Sequence, residues 1–121
     1  MSTLKVNTLE EATAGGATFF TAKAWVNFNG TGTVSINADG NVSSITDLGS
    51  AYYRANFTNA ITDANYSATG LGEGVSTSKG GAVFKRNGTA ATTTNFTMNT
   101  IEIDGAPVYV DMPYVCVSFT R

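Results

Sequence analysis

Alternation of apolar and polar residues, interrupted by Asn-Gly and Asp-Gly pairs, is the feature that most constrains this chain. It is clearest in the stretch KAWVNFNGTGTVSINADGNVSSI, from Lys23 to Ile45. From Phe20 to Phe28 every second residue is apolar, which predicts a strand with one face toward a core. Asn-Gly and Asp-Gly pairs are typical of tight hairpin turns. The stretch therefore predicts consecutive short antiparallel strands.

Trp25 lies on the opposite side of the first predicted strand, where its neighbours Lys23 and Asn27 are polar. A large aromatic ring is rarely left fully in water. We therefore expect this side of the strand to be covered as well.

The same pattern returns along the rest of the chain, in AYYRANFT, NYSATG, GAVFKRNG and NFTMNTIEIDG, and each run ends near Gly or Asn. Eight or nine strands at intervals of about ten residues are typical of an antiparallel β-sandwich or a jelly-roll-like domain. At 121 residues the chain has the size of one domain. We predict an all-β fold with an N-terminal arm over residues 1–18 and a β-sandwich module over residues 19–121.

Charge and cysteine content exclude several classes of function. The net charge is −2 and only 13% of residues are charged, which leaves no basic surface for nucleic acid. No apolar run is long enough for membrane insertion, and no secretory signal is visible. Without His, and with Cys116 as the single cysteine, thiol–histidine catalysis and the usual zinc sites are excluded. We expect Cys116 to be a buried small apolar group, and we expect no enzymatic activity and no cofactor.

Two groups of oxygen-bearing side chains offer alternatives to that view. A carboxylate pair for glycoside hydrolysis is conceivable among Glu102, Asp104 and Asp111, although Asp104-Gly105 is also a turn signal. A calcium site on turns is conceivable at Asp39, Asn41 and Asp47, although EF-hand spacing is absent. Structural roles for these residues are the simpler interpretation.

Recognition, if the chain has this role, is expected in two long loops. The stretches are Gly70–Gly81, with the sequence GLGEGVSTSKGG, and Arg86–Thr94. Loops of this composition change without disturbing strands, and their hydroxyl and basic groups can bind sugars or phosphates. The predicted binding residues are Ser76, Thr77, Ser78, Lys79, Arg86 and Asn87. One or two exposed tyrosines could add stacking surfaces for glycans.

Three segments together resemble a known family. They are MSTLKVNTLEEAT, AKAWVNFNGTGTVSI and NVSSITDLGSAYYRANFTNAITDANYSATG. In the same order they resemble short tail-fibre and related structural proteins of phages that infect cyanobacteria and other marine bacteria. The resemblance covers about the first 70 residues closely. It departs from the family in that no shaft separates the arm from the module.

The resemblance implies a homotrimer whose N-terminal arm, residues 1–18, serves attachment to other virion proteins or oligomerisation. It implies a tail-tip module that contacts a host surface glycan or outer-membrane protein, made in the host cytoplasm and located in the virion. The missing shaft leaves a capsid-decorating protein as an alternative. A stand-alone carbohydrate-binding module is a second alternative.

Overall fold

The computed structural model describes residues 2–5, 21–76, 79–103 and 105–121, and these contain nine β-strands and no helix. The strands are β1 (Ala22–Asn29), β2 (Ser35–Gly40), β3 (Val42–Gly49), β4 (Tyr52–Phe57), β5 (Ser67–Glu73), β6 (Gly80–Lys85), β7 (Asn95–Ile103), β8 (Val108–Tyr109) and β9 (Val115–Thr120). The predicted all-β fold is confirmed. Of the predicted arm, only residues 2–5 lie in the described part of the chain.

All nine strands belong to one antiparallel sheet. Its order is β2-β1-β9-β5-β6-β7-β4-β3, with β8 added to β7. The hairpin predicted between β1 and β2 is confirmed. The second hairpin predicted at Asp39-Gly40 is wrong, because β2 and β3 lie at opposite ends of the sheet order and β3 pairs with β4 instead. Strand β9 inserts between β1 and β5, so the C-terminal strand joins the two halves of the sheet.

The sheet curls into a nearly closed, sandwich-like barrel. Strands β1 and β4 are five positions apart in the sheet, yet the rings of Phe28 and Tyr53 are 5.3 Å apart. Phe57 of β4 and Phe119 of β9 are likewise 5.0 Å apart at their ring centroids. Contacts between strands so distant in the sheet require that its two ends face each other across a shared core.

The core is built from the alternating residues that the sequence marks. In β1 and β9 the buried side chains are those of one parity, and in β4 the buried residues are Tyr53, Ala55 and Phe57. Around Phe119, three rings pack edge-on at centroid distances of 5.0 to 5.8 Å: Phe57, Tyr66 and Phe96. Edge-to-face aromatic pairs contribute about 0.5–1.5 kcal/mol each beyond the burial of their area.

The prediction for Cys116 is wrong. Its neighbours Val115 and Val117 fill the inward positions of β9, so Cys116 points to the outside and is only partly buried. Its thiol donates a hydrogen bond to the hydroxyl of Tyr114, 3.1 Å away. The apolar sequence around Cys116 therefore reflects a strand that carries apolar residues on both faces.

The predicted loop at Gly70–Gly81 is also shorter than expected. Its first residues belong to β5, which ends at Glu73, and its last two glycines open β6. Only residues 74–79 connect the two strands. A Cβ on Gly72 would overlap Met112 Sδ, and one on Gly81 would lie 2.7 Å from the same sulfur. These glycines make room for Met112 in the core, which explains why a strand here has a loop-like composition.

Candidate functional site

Two of the predicted loop residues hold their own loop in place. The backbone N–H of Ser76 donates to Glu102 Oε2 at 3.0 Å, and the Lys79 ammonium lies 3.4 Å from Glu102 Oε1. Burial opposes the charge on Glu102, but the Ser76 N–H and the Lys79 ammonium outweigh it and hold the pKa of the carboxyl below its usual range. Thr77 and Ser78 lie outside the described residues. The loop connecting β5 and β6 is thus anchored to β7 through Glu102.

Arg86 and Asn87 lie at the start of the other predicted loop. The Arg86 guanidinium lies over the ring of Tyr52, 4.5 Å from its centroid, and donates to Asn99 Oδ1 at 3.3 Å. Asn87 is exposed in a turn whose next residue, Gly88, has a φ of +75°. The structure places Asn87 in solvent and Arg86 against β4 and β7, and their role in recognition stays a prediction.

Asp111, one of the candidate catalytic carboxylates, is used to fix a corner of the barrel. Its Oδ1 accepts hydrogen bonds from the Ala51 N–H at 2.6 Å and the Tyr53 hydroxyl at 2.5 Å. Ala51 has a φ of +56°, a left-handed conformation that a non-glycine residue seldom adopts. Its carbonyl accepts from the Asn99 amide at 2.7 Å. Glu102 is bound elsewhere, and Asp104 lies outside the described residues.

Two residues of the candidate calcium site, Asn41 and Asp47, also serve the fold. Asn41, at the β2–β3 turn with a φ of +61°, donates to the carbonyls of Lys23 and Asn59 and accepts from the Asn59 N–H. Asp47 accepts from the Gly49 N–H at 3.0 Å. Among the described residues, no group of three or more His, Cys, Asp or Glu side chains comes together.

A row of apolar side chains crosses the outside of the sheet. Register places Cys116 beside Leu71, Leu71 beside Ala82, Ala82 beside Ile101 and Ile101 beside Tyr109. The row thus runs from β9 to β8 without a charged residue. Leu71 and Tyr109 are 56% and 61% exposed.

We call the outer face the surface formed by this row together with Trp25, Ile103 and Tyr114 on the same side, so that it comprises Trp25, Leu71, Ala82, Ile101, Ile103, Tyr109, Tyr114 and Cys116. Phe84, two residues after Ala82 on β6, borders it. Trp25, 42% exposed, lies at one end over the backbone of Gly40 on β2. In the described part of the chain no second sheet covers it. Trp25, Leu71 and Cys116 line a shallow outer groove of about 490 Å³.

A second cavity, of about 420 Å³, opens between β5 and β6. It is lined by residues of both strands and by Tyr66, Phe96 and Val117 of the core. We call it the β5–β6 cleft. The sequence carried no signal for it, because a cleft between neighbouring strands depends on where their pairing stops. The outer face, in contrast, follows from the parity of Leu71 and Ile101 once the register is known.

Comparisons of the chain with family models, curated proteins and solved structures give no match. Within the described ranges, no helix is long and apolar enough to cross a membrane. The functional argument therefore rests on the outer face, the cleft and the loops described above.

Proposed function

We propose that this chain is a structural protein of a phage particle, without catalytic activity, and that it forms a host-facing module at the tip of a tail fibre. The observation that carries the proposal is the outer face. The resemblance of the N-terminal segments to tail-fibre proteins is the reason for proposing a phage particle. The outer face is the reason for proposing that the chain assembles.

The outer face has the size of an assembly surface. With 150–250 Å² for a whole aromatic side chain, its half-exposed residues present on the order of 600 Å² of apolar area. The largest apolar patch of an ordinary monomer covers about 300–600 Å² and is often functional. A stable interface buries about 800 Å² on each partner, including a polar rim. The outer face is therefore large enough for the centre of such an interface.

A second copy of the chain is the proposed partner of this face. The cross-strand row from Cys116 to Tyr109 carries no charge, so two copies can meet there without like-charge repulsion. Depletion of charge and enrichment in aromatic residues are typical of the centre of protein interfaces. Rotational symmetry closes such contacts into a ring, and we propose a trimer.

A non-catalytic role is supported by how the polar side chains are used. Glu102 and Asp111, the two candidate catalytic carboxylates among the described residues, each hold backbone groups of the fold. Tyr53 and Asn99 are buried and fully engaged with the same corner.

The assembly is tested by light scattering of the purified chain and of Leu71→Asp. We expect the wild type to have about three times the 12.6 kDa mass of one chain, and Leu71→Asp to be a folded monomer. Val75→Asp is the matched control, because Val75 is 51% exposed, close to the 56% of Leu71, and lies in the connection between β5 and β6, outside the outer face. A monomeric wild type at micromolar concentration, or an unchanged oligomer in Leu71→Asp, would refute the interface.

The place in the particle is tested by gold-labelled antibody and electron microscopy of intact phage. Label at the tail tip is the expected result. Label on the head would support the capsid-decorating alternative, and particles without label would overturn the proposal.

A further inference from the structure

The β5–β6 cleft exists because the pairing of its two strands stops early. Strand β5 pairs with β6 over only three positions, Leu71–Glu73 with Gly80–Ala82. The remaining part of β5, Ser67–Gly70, still pairs with β9, and the remaining part of β6, Val83–Lys85, still pairs with β7. Each of these two segments therefore turns an unpaired backbone edge toward the cleft.

The cleft is a wedge that closes at Gly70. A Cβ built on Gly70 would lie 3.1 Å from Val83 Cβ and 2.7 Å from the Cys116 carbonyl oxygen. The two strands are thus in close contact at this position and separate beyond it. An added strand needs a strand edge about 4.8 Å away on each side along its whole length, so a wedge that narrows at Gly70 suits a compact ring better than an extended peptide.

The floor of the wedge is aromatic and rigid. The Tyr66 ring packs edge-on against Phe119 at 5.8 Å, and its hydroxyl donates to the carbonyls of Thr92 at 3.0 Å and Asn95 at 3.1 Å. Burial raises the pKa of the Tyr66 hydroxyl to about 12. At the rim, Phe84 is 48% exposed and offers a free ring.

The polar groups of the cleft are suited to hydroxyls. Unpaired backbone N–H and C=O groups line both sides, and Asn65, Thr69 and Lys85 also line the cavity, although the Lys85 ammonium donates to the carbonyl of Thr89. A purely apolar ligand would leave these groups without hydrogen bonds, which costs about 1–3 kcal/mol for each group that becomes buried. A sugar ring presents hydroxyls at its edge and an apolar C–H face that packs on an aromatic ring.

We propose that the β5–β6 cleft binds one hydroxyl-rich sugar ring, with Phe84 against its C–H face and the free strand edges bonded to its hydroxyls. A cavity of about 420 Å³ falls within the usual size of small-ligand sites. The proposal rests on the host-facing role above, since a host-surface glycan supplies such rings. It places recognition beside the Arg86–Thr94 loop, because Ala91 of that loop also lines the cleft.

The test is a titration of the ¹⁵N-labelled full chain with glucose, galactose, mannose and N-acetylglucosamine, each to about 100 mM, followed by NMR. We expect at least one sugar to shift the amides of residues 67–70 and 83–85, with a dissociation constant of about 1–10 mM, typical of a single weakly held ring. Phe84→Ala should weaken binding about five- to tenfold, from the contribution of one aromatic contact. Ala64→Trp, at the exposed mouth, should abolish it.

Val75→Ala is the matched control, because Val75 is 51% exposed against 48% for Phe84 and lies outside both the cleft and the outer face. It should leave sugar binding unchanged. The proposal is overturned if none of the four sugars shifts these amides, or if binding survives Ala64→Trp. It is equally overturned if a short alternating Val-Thr peptide shifts them and the sugars do not. Oligomer mass and particle labelling are measured without sugar, so failure here leaves the proposed function to its own tests.

Discussion

Replacement of Tyr53 by Phe tests how the corner of the barrel is held together. Tyr53 is fully buried, and its hydroxyl lies 2.5 Å from Asp111 Oδ1 and 2.9 Å from the Gly30 carbonyl oxygen. The Phe variant keeps the ring packed at 5.3 Å against Phe28 and removes only the hydroxyl. Loss of a hydrogen bond to a charged acceptor costs about 1.5–3 kcal/mol. We expect the free energy of unfolding to fall by about 2 kcal/mol at pH 7, because Asp111 keeps its bond from Ala51.

The pH dependence of this difference gives a sharper test. Burial, the hydrogen bond to Asp111 and the negative charges of Asp111 and Asp47 raise the pKa of Tyr53 far above its ordinary value of 10.0. Above pH 10 the unfolded chain therefore loses this proton while the folded chain keeps it. The contribution of Tyr53 is fully present below pH 10 and is lost as pH rises, at about 1.4 kcal/mol per pH unit.

By pH 11.5 the free energy of unfolding of the wild type should have fallen by about 2 kcal/mol because of Tyr53 alone. The Phe variant has no hydroxyl at this position, so its free energy of unfolding does not fall for this reason. The gap between the two proteins should therefore close near that pH. The assay is urea unfolding followed by circular dichroism from pH 7 to 11.5, at one protein concentration because assembly adds to apparent stability. A gap that stays constant over this range would refute the assignment of Tyr53 as a buried, protonated donor.

Two further predictions concern glycine-dependent turns and contacts. Asn41→Ala should lower the free energy of unfolding by about 2 kcal/mol, and Asn41→Gly should lower it by about 1 kcal/mol less than that. Both variants lose the hydrogen bonds to Lys23 and Asn59, but only glycine adopts the φ of +61° without strain. Equal effects in thermal unfolding would contradict the role of backbone strain. Gly40→Ala should lower the free energy of unfolding by about 1–3 kcal/mol and shift the fluorescence of Trp25, because the new methyl group overlaps the indole. Ser43→Ala is the control, because Ser43 is exposed on the next strand, and it should leave the fluorescence unchanged.

The alternation of apolar and polar residues predicts the strands correctly where the neighbouring strands carry side chains larger than glycine. Ala24, Val26 and Phe28 are buried as their parity requires, and so are Val115 and Val117. In such strands the period of two is a direct consequence of backbone geometry. The prediction that Cys116 is buried is wrong because alternation identifies the two faces of a strand but does not say what covers the second face. An apolar residue opposite a core residue indicates burial by the same chain or exposure to a partner.

The prediction of a long loop at Gly70–Gly81 is wrong for a physical reason. Gly72 and Gly81 are register partners in β5 and β6, and side chains at either position would collide with Met112, which is fully buried. A strand pair that must leave room for a third side chain has the same composition as a flexible loop. Glycine and hydroxyl content therefore predicts a loop at a place where two strands pack closely against Met112 of the core.

The candidate sites follow from this same local arrangement. Gly70 allows β5 and β6 to touch, and beyond that contact the two strands diverge, so the cleft begins where the glycines end. Leu71 lies between Gly70 and Gly72, and its position in β5 places it in the exposed apolar row beside Cys116. The glycine-rich stretch thus determines both the position of the cleft and the centre of the outer face. A side chain introduced at Gly70 should displace both the cleft and the centre of the outer face, because β5 would have to move away from Val83 and from the carbonyl of Cys116.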